Sequence, residues 1–130
     1  MIKFQHTKHK ALWDMIITLL HDTNQDISSA AKLKYEAFNR LCPGASHLPS
    51  SICYACEYDE DIVDMFTEEN QPEPCENCPL LWPDNKLCDE DDNSLYSSFL
   101  YACHINNRQK AIKIAEDIRD CPVKEGIDVE

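Results

Sequence analysis

This chain reads as a mostly α protein, with about four helices around one core and central loops tied by a cysteine-ligated zinc site. Three observations lead there. Only two glycines, Gly44 and Gly126, occur in 130 residues, too few for the many tight turns of an all-β fold. Apolar residues recur at helical spacing instead of alternating. Two Cys-x-x-Cys pairs, Cys53/Cys56 and Cys75/Cys78, stand 18 residues apart, inside the window in which four thiolates close on one tetrahedral Zn²⁺. The length suits one domain, read as a helical zinc-binding unit over residues 1–122 and a flexible tail over 123–130.

The first helix is expected from about Lys8 to His21, with Leu12, Ile16, Leu19 and Leu20 on one stripe and Trp13 and Ile17 beside it. Asp26 or Ser28 is the expected N-cap of a second helix reaching Leu41, with Ala30, Leu33, Ala37 and Leu41 inward. Cys42-Pro43-Gly44 stops it. Between the cysteine pairs, Asp59 to Glu69 carries Ile62, Val63, Met65 and Phe66 among acids, the pattern of a short helix. Gln71-Pro72-Glu73-Pro74 is a loop delivering the second pair, and Pro79 to Pro83 cannot be helical throughout. Asn93 or Ser94 caps a third major helix to about Ile105, with Tyr96, Phe99, Leu100 and Cys103 inward. The last helix ends near Asp120 and buries Ala111, Ile114, Ala115 and Ile118. Trp13, Trp82, Tyr96 and Phe99 are the candidate aromatic core.

The cysteine pairs carry the strongest chemical signal. A Cys-x-x-Cys turn sets two sulfurs on one side of a tight loop, two corners of a tetrahedron. Cys53, Cys56, Cys75 and Cys78 are the expected ligands. Cys88 either replaces one of them or lies beside them as a reduced thiol, and Cys42, Cys103 and Cys121 suit small core positions. An iron–sulfur cluster uses the same four thiolates, and eight cysteines also permit an oxidised framework. Glu57 and Pro79 stand where zinc-ribbon knuckles carry glycine, which points to a helix-supported site. Pro74-Cys75-Glu76-Asn77-Cys78 matches half of the nucleobase deaminase signature, but the upstream His-x-Glu half is absent and four thiolates leave no open coordination position. The run from Asp89 lacks the glycine and glutamate of a Ca²⁺ loop. The five histidines form no ligand pattern; most read as surface residues, with His104 the one placed against the core.

Charge is localised. From Glu57 to Asp92 there are 14 acidic residues and the single Lys86, within a chain of net charge −12. Such a surface repels phosphate backbones, so direct nucleic-acid binding is disfavoured. It is either a solvated face or a docking surface for a basic partner, steered electrostatically; the candidate contacts are Asp59, Glu60, Asp61, Asp64, Glu68, Glu69, Asp89, Glu90, Asp91 and Asp92. The first apolar stretch is too short for a membrane span and lacks a cleavage signal. A cytoplasmic setting, where thiols stay reduced, is therefore expected.

His9-Lys10-Ala11-Leu12-Trp13, Cys53-Tyr54-Ala55-Cys56-Glu57-Tyr58, Cys75-Glu76-Asn77-Cys78-Pro79-Leu80-Leu81-Trp82, Cys88 and Ile118-Arg119-Asp120-Cys121-Pro122 form a series of islands across the chain. Together they resemble a pattern of short phage and prophage proteins that have no assigned reaction. The resemblance implies zinc bound through the cysteines, with Cys88 among the candidates. The leading expectation is a non-enzymatic phage accessory protein that binds, and inhibits, a host or defence protein with a basic surface, for instance a nucleic-acid-handling enzyme. A redox or metal-dependent enzyme using a labile cysteine pair is the alternative, and a nucleic-acid-binding zinc module the third.

Overall fold

The computed structural model describes residues 2–73, 75–83, 88 and 93–130. Five α-helices are present among them: α1 (His6–His21), α2 (Ala30–Leu41), α3 (Tyr54–Val63), α4 (Leu95–His104) and α5 (Arg108–Arg119). Short 3₁₀ turns occupy Ser50–Ile52 and Glu68–Asn70. No strand occurs among the described residues, only two isolated bridges, Phe4 with Val129 and Leu80 with Val123. The helical class is as expected. The short helix expected over Asp59 to Glu69 is α3, which begins at the first cysteine pair instead of after it and ends at Val63.

Helices α1, α2, α4 and α5 form the core, with α1 packed on both α5 and α2 and α5 on α4. The expected stripes are buried on α1 (Leu12, Ile16, Leu19, Leu20) and α5 (Ala111, Ile114, Ala115, Ile118). On α2, Ala30, Leu33, Ala37 and Phe38 are buried, but Leu41 is exposed because the helix ends there. On α4, Phe99 and Cys103 face inward while Leu100 faces solvent. Trp13 meets Phe99 edge-on at 5.1 Å between ring centroids, a geometry that the ring quadrupoles favour. Trp82 is buried and Tyr96 half-buried.

The helix ends explain several departures from expectation. Ser29, not Asp26 or Ser28, caps α2: its Oγ accepts from the Lys32 amide at 3.3 Å, while Asp26 accepts from the Ser28 amide in a preceding turn. The Gln5 side chain makes no cap on α1. The C-terminal segment supplies one, since the Glu130 carbonyl accepts from both the Thr7 amide and the Thr7 hydroxyl. Phe4 exchanges two further backbone hydrogen bonds with Asp128 and Glu130. Residues 123–130, expected to fray, are therefore tied down at both ends, because Lys124 also donates to the Pro79 carbonyl at 2.8 Å. At the other end of α1, Arg108 donates to the carbonyls of Leu20 and Asp22, each at 3.1 Å, and to that of Gln25.

The histidine reading is also corrected. His104 is exposed, whereas His9 is buried at 1% exposure. His9 lies on the inward stripe of α1 with Leu12, Trp13 and Ile16, and its Nε2–H reaches the Ile118 carbonyl at 3.1 Å.

Candidate metal centre

Helix α3 begins on a cysteine. Cys53 is its N-cap, and the Cys53 Sγ accepts from the Cys56 amide at 3.3 Å. Sulfur thus takes the place of the usual cap oxygen and satisfies one of the free amides of the first turn. Three residues on is Cys56, and three further, its neighbour on the helix surface, is Asp59.

Asp59 is buried, and its two carboxylate oxygens accept from the backbone amides of Cys75, at 2.9 Å, and Asn77, at 2.7 Å. One carboxylate on the first cysteine helix therefore fixes the second cysteine turn. The fixing has work to do, since Cys75 holds φ of 70°, a left-handed conformation that residues with a Cβ adopt at a cost. The Cys78 carbonyl side of this turn continues into Pro79–Trp82, and the Trp82 indole N–H donates back to the Cys78 Sγ at 3.4 Å.

Cys88 arrives from the other side. Its carbonyl accepts from the Ser94 hydroxyl at 2.8 Å and the Tyr96 amide at 3.0 Å, so the start of α4 positions it. Cys53, Cys56, Cys75, Cys78 and Cys88 then line one cavity of about 10 Å³, together with Ala55, Asp59 and Trp82. That is about the room of a single water or ion. The remaining three cysteines are elsewhere: Cys103 and Cys121 are buried in the core and Cys42 is half-buried after α2. Burial pushes the Cys103 thiol up to about 11 and the Cys121 thiol up to about 12, the behaviour of inert packing residues.

The cavity thiols respond to one another. A hydrogen bond from the Cys56 thiol holds Cys53 below the ordinary thiol range, against burial, with the Lys34 ammonium adding to the effect. The same bond pushes Cys56 up. Burial raises Cys78, opposed by hydrogen bonds from the Leu80 amide and the Trp82 indole.

The donor set fits a soft, thiolate-preferring cation. Its side chains are not drawn in to ligand distance: among the described residues, no three His, Cys, Asp or Glu side chains stand where they would hold a metal ion. The fit is one of donor type and convergence.

The acidic segment divides. Asp59 is removed from the candidate contact surface by its burial. Glu60, Asp61 and Asp64 are exposed along α3, and Glu68 and Glu69 on the following turn. Burial together with Glu57, Asp64 and Glu60 raises Asp61 above the usual carboxylate range, His47 opposing. Met65 and Phe66, expected within a short helix, lie beyond the end of α3 and are 70% and 48% exposed. Asp89, Glu90, Asp91 and Asp92 lie outside the described residues.

Sequence reasoning missed the structural part played by Asp59, although its spacing of three from Cys56 makes the two neighbours on a helix surface. Lys34, buried on α2, had no such signal. No protein-family model, curated protein or solved structure matches this chain. No helix among the described residues is long and apolar enough to cross a membrane.

Proposed function

We propose that this chain is a non-enzymatic binding protein of phage or prophage type, stapled by a structural Zn²⁺ and docking on a basic surface of a host or defence protein through its acidic face. The observation that carries the reading is the convergence of five of the eight cysteines on one cavity, three of them from segments remote in sequence. Cys53, Cys56, Cys75 and Cys78 are the expected ligands, and Cys88 is the fifth thiol against the same cavity. Zn²⁺ bound there supplies a rigid four-cornered junction and, with every position taken by sulfur, no site for substrate.

The staple holds α3 and the turn after it in a fixed attitude. Glu60, Asp61, Asp64, Glu68 and Glu69 are all exposed, as are Met65 and Phe66, which lie between them in sequence, and together they are the proposed contact surface. Carboxylates together with apolar side chains suit a basic protein surface, with charge speeding the encounter and the apolar side chains desolvating on contact.

Elemental analysis of protein purified under reducing conditions tests the metal, with one zinc per chain expected. Affinity capture from host lysate tests the surface. Replacing Glu60, Asp61, Asp64, Glu68 and Glu69 by their amides is expected to abolish capture at low salt and leave the zinc content unchanged. Undiminished capture by that variant overturns the docking reading.

A second reading has its own observation. Cys53 caps a helix N-terminus, is held low, and has a raised partner at Cys56, the polarity of a redox dithiol. Stoichiometric reaction of metal-loaded protein with a disulfide reagent at Cys53 alone favours this reading over the staple.

A further inference from the structure

We propose that Lys34 is the positioning residue of the cysteine site, its buried ammonium serving both as counter-charge to the thiolates and as the clamp on the turn that delivers Cys53. This rests on the metal reading above.

Lys34 is 4% exposed, an unusual condition for an ammonium group. Its Nζ donates to the Ser51 carbonyl at 2.9 Å and to the Tyr96 hydroxyl at 2.8 Å. Both acceptors are neutral, and none of the ion pairs among the described residues includes Lys34. A charge taken out of water needs an opposite charge nearby. The groups that share a cavity of about 190 Å³ with Lys34 include Cys53, Cys56, Cys75 and Cys88, but no carboxylate among the described residues. Four thiolates on a divalent cation carry a net charge of about −2, the missing counter-charge.

The turn gives the second, independent argument. Ser51 and Ile52 both hold positive φ, at 56° and 49°. For a β-branched residue such as Ile52 this is a strained conformation, kept only where the surroundings impose it. It immediately precedes Cys53, and the Lys34 ammonium grips the Ser51 carbonyl inside it. Tyr96, the other acceptor, lies in the first turn of α4, where its own amide and the Ser94 hydroxyl hold the Cys88 carbonyl. Lys34 thus joins the supports of Cys53 and of Cys88 from a helix that contributes no ligand.

The test is Zn²⁺ affinity by chelator competition, with the cobalt-substituted protein read for its sulfur-to-metal charge-transfer bands. Lys34→Met is expected to weaken Zn²⁺ binding about 10- to 100-fold, the range for loss of an outer-shell partner, and to alter the cobalt bands. Lys34→Arg, which keeps the charge, is expected to recover most of the affinity. Should Lys34→Met lose its helical circular dichroism, Lys34→Gln serves in its place. Equal affinity in wild type and the neutral variants overturns the assignment while leaving the metal reading standing. A wild-type chain that takes up no zinc overturns both.

Discussion

Asp59 and His9 illustrate how far a single residue's surroundings change its meaning. Within an acidic run, Asp59 reads as one more solvated charge; only the fold shows it accepting two amides of the second cysteine turn. His9 reads with the other histidines as a surface residue, although it stands three and four residues before Leu12 and Trp13 and so extends the inward stripe of α1. Its burial lowers its proton affinity from the ordinary 6.5 to about 4, the charges of His6 and Lys10 adding and the Ile118 carbonyl opposing. The unfolded chain therefore binds the extra proton first as pH falls. Stability from a neutral His9 is complete above about pH 6.5 and is lost between there and about pH 4, on the order of 3 kcal/mol in all. Urea denaturation of zinc-saturated protein at about pH 7 and about pH 5 checks this: wild type is expected to lose about 2 kcal/mol more than His9→Leu. Thiolate protonation is common to both proteins and cancels in the comparison. Equal losses would refute the assignment of that acid limb to His9.

Among the elements, those with strong internal periodicity were legible and those held by neighbours were not. The stripes of α1 and α5 repeat every three to four residues, so burial follows from spacing. Helix α3 starts earlier than its apolar residues suggest because a cysteine sulfur caps it, and cysteine is not among the residues read as caps. The C-terminal segment misled for a similar reason. Residues 123–130 have no periodic pattern, and their order comes from being what Phe4, Thr7 and Pro79 need as partners. Deleting residues 124–130 removes the backbone partners of Phe4 and Thr7 and the amide that meets the Pro79 carbonyl. At about 1 kcal/mol net per hydrogen bond, offset by the ordering entropy of the tail, a loss on the order of 3 kcal/mol is expected. Since Pro79 follows Cys78, the truncated chain is also expected to release zinc faster to a chelator. A truncation with unchanged melting temperature and release rate would return the segment to the status of a loose end.

At the scale of the molecule, two kinds of cohesion divide the chain. Helices α1, α2, α4 and α5 interlock through a shared apolar interior, which needs no metal. The segment that carries the cysteine pairs joins the same interior only in places, through the buried Tyr54, Ala55, Tyr58, Cys78, Leu80 and Trp82, while the stretch from Asp64 to Glu73 buries no side chain. Its order depends on Asp59, on Trp82 and on the cysteines meeting. Removing zinc from such a molecule is expected to act regionally, because free energy of metal binding is folding free energy only for the segments that the ligands join. With carboxylates crowding α3, the released segment has further reason to swell apart. Hydrogen exchange before and after exhaustive chelation under reducing conditions makes the distinction. Amides of α3 and of the Cys75–Cys78 turn are expected to exchange at least tenfold faster once stripped, by about 1.4 kcal/mol or more of lost local stability, while the inner amides of α1 and α5 keep their protection. Uniform loss across all helices would make the ion part of the core itself, and no change anywhere would leave the cysteines as packing residues and remove the staple on which the acidic face relies.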